Sequence, residues 1–214
     1  VRLYPESPIW IVDDNSADKT AEFVQQFSQK YLQLHFLSRK NKRGRGSAVI
    51  DGFRQAVKDK SVSYFQEMDA DGSHNPQEIE KLLKAATQNS ETIIIGSRHI
   101  KGAEFINCSP LRIFLSKLAN FYARLILGVP ISDYTNGFRL YPQDAVQLLI
   151  NSKIRENGYV MLSETAYILY KKGFKFKEVP TIFVNRKEGK SNATIFEFLR
   201  SIPAILKIRF SYTF

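Results

Sequence analysis

The chain has 214 residues, of which 43% are hydrophobic, and it carries a net charge of +10. This length supports one well-cored domain, whereas two domains would each be small. A basic balance suits an anionic partner, such as a nucleotide sugar, a lipid phosphate, an anionic membrane surface or nucleic acid, but does not choose among them. The single cysteine, Cys108, excludes an intrachain disulfide. No apolar run approaches the roughly 18 residues that a membrane-spanning helix needs.

The first half of the chain alternates predicted strands with predicted helices. Short apolar runs predict strands, and apolar residues at helical spacing predict helices. Strands are predicted at Ile9–Val12, Leu34–Leu37, Tyr64–Met68 and Thr92–Ile95, and helices at Asp18–Lys30, Gly46–Lys58 and Pro76–Gln88. This alternation predicts an α/β fold with a mostly parallel sheet and helices on both faces.

The pattern changes after Gly96. We expect, in order, an amphipathic helix, a turn, an extended segment, a second helix, an edge strand, a loop and a last amphipathic helix. Their predicted ranges are Leu111–Leu127, Gly128–Asn136, Gly137–Tyr141, Ser163–Lys172, Phe174–Val184, Asn185–Asn192 and 193–214. The sequence therefore predicts one domain over residues 1–192 and an amphipathic C-terminal helix over residues 193–214.

Two carboxylates, Asp69 and Asp71, stand one residue apart directly after the apolar run Phe65–Met68. A carboxylate in that position is costly unless a counter-charge is near. Mg²⁺ or Mn²⁺ held by one or two carboxylates takes its remaining ligands from water and substrate phosphates. We therefore expect a metal site and a phosphate-bearing substrate. The alternative is a solvated turn before a helix, with Ser73 or Asn75 as the N-cap.

A second acidic pair, Asp13 and Asp14, closes the first predicted strand. These carboxylates can accept hydrogen bonds from a base or a ribose. Alternatively, the segment only caps the next helix through Ser16 or Asp18.

The basic segment Arg39–Gly46 has three interpretations. It can be a nucleic-acid or nuclear-import patch, or a solvated basic loop. It can also be a phosphate site at a helix N-terminus, where Gly44 and Gly46 let the backbone approach the ligand. No recognisable nucleic-acid module accompanies the segment, so nucleic acid is not an expected partner.

A third polar cluster, which contains Arg98, Arg112, Ser116 and Lys117, follows the predicted strand Thr92–Ile95. Arg112 and Ser116 are four residues apart and share a helix face, and arginines with a hydroxyl form a phosphate clamp. The alternative is an ordinary charged helix surface. Because ligands of such sheets bind outside the carboxyl ends of the strands, we expect the three polar strand ends to converge on one crevice.

Taken together, these motifs resemble those of the family 2 glycosyltransferases, and most closely the dolichol-phosphate mannosyltransferase branch. The resemblance covers the chain from Ile9 to about Asn192. It rests on the order and spacing of motifs that are each weak alone: Val12–Thr20, Gly44–Ala48, Met68–Pro76, Gly96–Arg98, Ser132–Tyr141, Gly158–Val160, Glu178–Pro180 and Arg186–Ser191.

The resemblance implies a Rossmann-like GT-A domain and an inverting transfer of a sugar, typically mannose from GDP-mannose, to a dolichyl or polyprenyl phosphate. Mg²⁺ or Mn²⁺ would be the cofactor. By the same resemblance, the metal would be held by Asp69, Asp71 and Ser73, the nucleotide sugar by Asp13, Asp14, Asp69, Asp71, Lys42 and Gly46, and the lipid phosphate by Arg98, Arg112, Ser116 and Arg139. Catalysis would depend on Asp71, Arg98 and Arg186, the last of which lies in a loop that closes over the substrates.

The resemblance also implies a location at the cytoplasmic face of a membrane, reached through the amphipathic helices or a membrane-anchoring partner subunit. The chain departs from the family in two places. The family opens with a strand ending in Pro-x-Tyr-Asn-Glu and a helix, and this strand-helix unit is missing here, although its residues help to hold the nucleotide. The closing loop normally ends in Ser-Lys, whereas here Asn192 follows Ser191.

Three other hypotheses remain open. The same fold can use another donor or acceptor, such as UDP-glucose, UDP-N-acetylglucosamine, a protein or a glycan. The chain can be a non-catalytic remnant that binds a partner. A basic nucleic-acid binder is the most distant alternative.

Overall fold

The computed structural model describes residues 1–40, 44–86, 91–185 and 195–212. The strands in these ranges are β1 (Ile9–Asp13), β2 (Leu34–Ser38), β3 (Tyr64–Glu67), β4 (Thr92–Ser97), β5 (Glu104–Ile106), β6 (Arg139–Pro142), β7 (Lys175–Pro180) and β8 (Ile182–Val184). The α-helices are α1 (Thr20–Lys30), α2 (Arg45–Ala56), α3 (Ile79–Ala86), α4 (Pro110–Leu127), α5 (Gln143–Asn151), α6 (Val160–Lys171) and α7 (Ile195–Ser211). A 3₁₀ turn, Pro76–Glu78, leads directly into α3.

The strands form one four-stranded sheet and two parallel pairs. The four-stranded sheet has the order β3-β6-β4-β7, in which β4 and β7 are parallel and β6 is antiparallel to both of its neighbours. The pairs are β1 with β2 and β5 with β8. The expected α/β fold is therefore confirmed, with parallel pairings predominating and β6 as the antiparallel exception.

The hydrophobic core lies on both faces of β4, which is buried along its whole length. Ile93 and Ile95 face one core cluster, which contains side chains of α2, α4, α5, α6 and α7. Ile94 faces the other cluster, together with Leu82 and Ala86 of α3. This alternation follows from the two-residue period of a strand, and it confirms the expectation of helices on both faces.

Two elements were missed by the sequence analysis, and one was predicted as a single piece. Helix α5 packs on the main core, and the short strand β5 pairs with β8. The predicted edge strand Phe174–Val184 breaks at Thr181, whose hydroxyl donates to Glu78 at 2.6 Å. The part before Thr181 is β7 at the edge of the four-stranded sheet, and the part after it is β8.

Helix α2 links the parallel pair β1-β2 to the four-stranded sheet. Phe53 packs edge-on against Phe65 of β3, and Gly52 faces Val12 of β1, where an added Cβ would lie 3.1 Å from the valine methyl. Strands β1 and β3 both end near the N-terminus of α2, because Asp14 accepts from the Gly44 N–H and Asp69 accepts from Arg45. The helix thereby brings two polar strand ends together.

Helix α7 shares the main core, because Ile205 and Ile208 are buried in it. The Tyr122 hydroxyl of α4 also donates to the carbonyl of Ile202 in α7 at 3.1 Å. The predicted boundary between residues 192 and 193 falls outside the described residues. Among the helices that are described, none is long and apolar enough to cross a bilayer.

Candidate functional site

One cleft brings together six of the residues that the motifs singled out. Its polar end is lined by Asp69, Asp71, Ser73, Arg98, Arg112 and Ser116. The rest of the cleft is mostly apolar and lies between α4, α6 and α7, with Phe105 and Phe183 beside the arginines; the other lining residues are Leu115, Ala119, Thr135, Asn136, Tyr159, Val160, Ser163, Phe198, Ser201 and Ile205. A cleft of this kind suits a ligand with an anionic head and an apolar body.

The turn that follows β3 is held by its own side chains. Asp71 Oδ1 accepts hydrogen bonds from the Ser73 backbone N–H at 3.0 Å and from the Ser73 hydroxyl at 2.5 Å. Asn75 caps the following helical turn by accepting from the Gln77 N–H at 3.0 Å. The capping interpretation is therefore correct for Asn75, and it leaves Asp69 unexplained.

The counter-charge of Asp69 is Arg45, the first residue of α2. Arg45 Nε donates to Asp69 Oδ1 at 2.8 Å, and its Nη1 lies 2.8 Å from Glu67 Oε1 as an ion pair without hydrogen-bond geometry. The second oxygen of Glu67 accepts from the Tyr141 hydroxyl at 2.9 Å. Burial lowers the pKa of Arg45, but the charges of Glu67 and Asp69 outweigh it, and the pKa is raised. The guanidinium is therefore a permanent cation beside Asp69.

Gly137 leaves the space that Arg45 occupies. A Cβ added at Gly137 would lie 1.8 Å from Arg45 Nη2, so the guanidinium would have to move aside. Gly137 therefore lets the guanidinium pack on the backbone of the chain just before β6.

A buried histidine supports the backbone of Asp69. The Asp69 N–H donates to His74 Nδ1 at 3.1 Å, and His74 Nε2 lies 2.9 Å from Asn136 Oδ1. The Asn136 amide is oriented by its own bond to the Gly96 carbonyl at 2.6 Å, so its oxygen faces the imidazole. His74 is therefore neutral with its proton on Nε2, and burial lowers its pKa.

At the other side of the polar end, Arg98 is anchored by the fully buried Asp133. Its Nε and Nη2 donate to the two carboxylate oxygens at 2.8 Å each, and Nη2 also donates to the Thr135 hydroxyl at 2.7 Å. Burial raises the pKa of Asp133, but the charge of Arg98 outweighs it and the pKa is lowered. The guanidinium also lies 5.2 Å from the centre of the Phe183 ring. Arg98 is therefore fixed in direction before any ligand arrives.

Arg112 and Ser116 face the cleft from the first turns of α4. Ser109 caps this helix by accepting from the Arg112 N–H at 3.3 Å. The Arg112 side chain hydrogen bonds to Asn185 and lies 5.3 Å from the centre of the Phe183 ring. The two residues are one helical turn apart, as their spacing predicted.

Three of the expected nucleotide-binding residues do not line the cleft. Asp13 accepts from the backbone N–H and the hydroxyl of Ser16, and Asp14 pairs with Arg39 and accepts from the Gly44 N–H at 3.1 Å. Gly46 was expected to bring its backbone to a phosphate. Its N–H instead donates to the carbonyl of Asn157 at 2.8 Å.

The structure also contradicts the expected role of Arg139 as a ligand of the lipid phosphate. Arg139 is fully buried, and its guanidinium donates to backbone carbonyls of Asn136, Leu162 and Tyr134 at 2.8–2.9 Å. Since its charge is used to tie the segment before β6 to α6, it stabilises the fold and does not reach the cleft. Lys42 and Arg186, which were also expected to bind substrates, lie outside the described residues.

The donor atoms near Asp69 suit a hard cation. Asp69, Asp71 and Ser73 present oxygen atoms to one cleft, and oxygen is the ligand that Mg²⁺ and Mn²⁺ prefer. Within the described residues, no three His, Cys, Asp or Glu side chains are grouped to hold a metal ion. The two carboxylates fit a metal whose remaining ligands come from water and a bound phosphate.

Comparison with known proteins identifies the family. Residues 2–149 match the model of glycosyl transferase family 2. This chain belongs to that family. The motif resemblance is thereby confirmed over more than half of the sequence.

The chain is also similar to curated relatives. It is 33% identical over 187 residues to the undecaprenyl-phosphate mannosyltransferase of Micrococcus luteus, covering 87% of this chain and 76% of the relative. It is 35% identical to the polyprenol monophosphomannose synthase of Mycolicibacterium smegmatis, covering 87% and 70%. The dolichol-phosphate mannosyltransferase of Pyrococcus furiosus is 37% identical, and the match spans 93% of this chain but only 55% of that protein.

Solved structures with the same fold are more distant in sequence. Glucosyl-3-phosphoglycerate synthase from Mycobacterium tuberculosis in complex with UDP has a TM-score of 0.64 at 13% identity, covering 96% of this chain and 69% of that one. The same enzyme in complex with Mn²⁺, UDP-glucose and phosphoglyceric acid has a TM-score of 0.62 at 14% identity, with coverage of 96% and 69%. At this identity the likeness concerns the fold alone, and it confirms the expected GT-A arrangement.

Proposed function

We propose that this chain transfers mannose from GDP-mannose to a polyprenyl or dolichyl phosphate with inversion and with Mg²⁺ or Mn²⁺ as cofactor. The observation that carries the proposal is that one cleft has two carboxylates and two arginines at its polar end and apolar walls beyond. The names of the curated relatives support mannose as the sugar and a polyprenyl phosphate as the acceptor.

At the donor end, Asp69, Asp71 and Ser73 would hold the metal, which offsets negative charge on the departing diphosphate. The chain prepares these groups in two ways. Ser73 fixes Asp71 through two hydrogen bonds, and Arg45 fixes one oxygen of Asp69. The nucleotide itself would approach the ends of β1 and β3, where Asp13, Asp14 and Gly46 lie, with Lys42 as a further proposed ligand.

At the acceptor end, Arg98, Arg112 and Ser116 would bind the phosphate of the lipid. A phosphate monoester is already ionised near neutral pH, so its oxygen can attack without a strong general base. The arginines hold that oxygen in line with the sugar, which is the main requirement for a single inverting displacement. Arg186 is proposed to complete the closed site.

An apolar stripe on α4 supports an approach from a membrane surface. Leu111, Phe114, Leu118, Phe121 and Leu125 recur every three or four residues and are all exposed, and Leu199, Leu206 and Phe210 are exposed on the neighbouring α7. Such a face lies in the interfacial plane of a bilayer, with basic residues toward the head groups. We propose that the chain acts at the cytoplasmic face of a membrane, alone or with an anchoring subunit.

The membrane proposal is tested by co-sedimentation with vesicles that contain anionic lipid. The double variant Phe114→Ser/Phe121→Ser should lose most of its binding. The control Phe23→Ser removes another exposed phenylalanine, on α1, and should bind as the unmodified chain does. Equal binding of the two variants would show that the stripe on α4 does not contact lipid.

The reaction is tested with radiolabelled GDP-mannose, a polyprenyl phosphate and Mn²⁺. Labelled lipid should form, and Asp71→Asn should abolish it, whereas Asp59→Asn, at an exposed loop position, should not. Product from UDP-glucose and none from GDP-mannose would move the proposal to another donor. A folded chain that binds no donor in calorimetry would favour a non-catalytic role, and salt-sensitive binding of duplex DNA would favour nucleic acid.

A further inference from the structure

We propose that His99 and Asn120 are positioning residues that hold Ser116 and Arg98 in the geometry needed for the acceptor phosphate. The inference rests on the proposed function, because it names what sets the phosphate end of that site. Neither residue lines the cleft, and both act through residues that do.

Asn120 is the centre of this arrangement. It lies one turn after Ser116 on α4 and is almost completely buried. Its Oδ1 accepts from the Tyr134 N–H at 2.6 Å, and its Nδ2 donates to the Ser116 carbonyl at 2.8 Å. These two backbone partners have opposite polarity, so they fix which end of the amide is the oxygen.

His99 meets Asn120 through one ring nitrogen. Asn120 Nδ2 lies 3.1 Å from His99 Nε2, so the amide and the imidazole are in direct polar contact. Burial lowers the pKa of His99, with Asp133 and Glu178 acting to raise it and Arg98 and Lys117 acting to lower it.

The same Nε2 atom lies 3.0 Å from the hydroxyl of Ser116. Ser116 is thus held at both its carbonyl and its hydroxyl. The Nδ1 atom of His99 is buried and has no hydrogen-bond partner in the described part of the chain. The ring is therefore held by its contacts at Nε2 and by packing on Phe105, with 5.6 Å between the ring centres.

Asn120 also connects Ser116 to Arg98. Its Nδ2 lies 3.3 Å from the Thr135 hydroxyl, which accepts from Arg98 Nη2 at 2.7 Å. Arg98 in the loop after β4 and Ser116 in helix α4 are therefore connected through the Asn120 amide and the Thr135 hydroxyl. Because Arg112 is one turn before Ser116 on the same helix, this connection sets the spacing of all three proposed phosphate ligands.

The test measures binding of a water-soluble, short-chain isoprenyl monophosphate by calorimetry. His99→Phe keeps a ring but loses Nε2, and it should weaken binding about tenfold, as expected for one lost hydrogen bond near a charged ligand. His99→Gln places an amide where Nε2 lies and should recover most of the affinity. Affinity for GDP-mannose with Mn²⁺ should stay within about twofold in both variants.

A double-mutant cycle separates positioning from a general structural effect. Ser116→Ala removes the hydroxyl that His99 holds, so adding His99→Phe to it should weaken binding no further. Additive losses would overturn the inference, as would unchanged binding by His99→Phe. His35→Phe, which replaces a histidine stacked on Trp10 in the β1-β2 pair, is the matched control and should bind normally.

One further variant and one further comparison separate failure of this inference from failure of the proposed function. Should the larger ring disturb the fold, His99→Ala carries the same expectations and needs no extra space. If the unmodified chain binds GDP-mannose but no isoprenyl phosphate, the proposed acceptor is wrong and the inference falls with it. If the unmodified chain binds the phosphate and the variants do not differ from it, only the inference is wrong.

Discussion

The two ends of the cleft hold their charges in opposite ways. At the proposed donor end, the carboxylate of Asp69 lines the cleft and the cation Arg45 lies behind it. At the proposed acceptor end, the cation Arg98 lines the cleft and the carboxylate of Asp133 lies behind it. In both pairs the supporting residue comes from a distant part of the chain, 24 residues away in the first and 35 in the second.

This difference shows what each supporting residue must do. Asp133 is completely buried, and both of its carboxylate oxygens accept hydrogen bonds from the Arg98 guanidinium. The orientation of the Arg98 side chain is therefore fixed. Arg45 forms ion pairs with both Asp69 and Glu67. Its position beside Asp69 therefore also depends on Glu67. We therefore expect changes at the acceptor pair to cost more than changes at the donor pair.

The largest effect is expected for Asp133→Asn. The change leaves Arg98 as a nearly buried cation with no carboxylate, and breaking such a pair costs about 3–5 kcal/mol. The free energy of unfolding, measured with urea, should fall by this amount, and affinity for the acceptor should fall about a hundredfold. Asp144→Asn, an exposed change in the first turn of α5, should alter neither quantity. Unchanged acceptor affinity in a folded Asp133→Asn variant would show that Arg98 needs no anchor.

A large effect on stability without an effect on binding is expected for Arg139→Leu. The change leaves several buried carbonyls without a donor, which costs about 3 kcal/mol. Urea denaturation should show this loss, whereas the folded fraction should bind isoprenyl phosphate as before. Arg54→Leu, at an exposed position of α2, is the control. A loss of affinity for isoprenyl phosphate in the folded Arg139→Leu variant would show that Arg139 does contribute to binding the acceptor phosphate.

An intermediate effect is expected at the donor pair. Arg45→Met removes the cation, and Gly137→Ala displaces it, since an added Cβ would overlap Nη2. Both should weaken binding of GDP-mannose with Mn²⁺ about tenfold, which is close to 1.4 kcal/mol, and leave acceptor binding intact. Gly158→Ala, which meets no atom within 4 Å, controls for the added methyl. Normal donor binding by both variants would mean that Asp69 needs no counter-charge to work.

The smallest effect is the pH dependence of stability that His74 contributes. Its folded pKa is lowered below its ordinary value of 6.5, so the unfolded chain takes up the proton first as the pH falls. The contribution is complete above pH 6.5 and is lost as the pH falls through the folded pKa. The melting temperature should therefore fall less between pH 7 and 5 in His74→Gln than in the unmodified chain. An identical fall in both proteins would contradict a neutral, buried His74, and His35→Gln controls for loss of an imidazole.

Many of the strands and helices, and part of the cleft, could be predicted from local sequence. Apolar periodicity located β1 to β4 and the helices between them, because burial of one face imposes its period on the residues. Acidic and basic residues at the ends of β3 and β4 indicated the cleft, since ligands of such sheets bind at that edge, whereas Asp13 and Asp14 at the end of β1 do not line it. The spacing of Arg112 and Ser116 placed both on one face of α4.

Only the tertiary structure decided which charges pair with which. Arg45 was considered only as part of the basic segment Arg39–Gly46, for which three interpretations were open, yet it pairs with Asp69 and Glu67. Arg139 was expected from the family resemblance to bind the lipid phosphate, yet it donates to backbone carbonyls of its own chain. A side chain's role depends on the groups that surround it after folding, and charge pairing acts through space, so spacing along the chain does not reveal it.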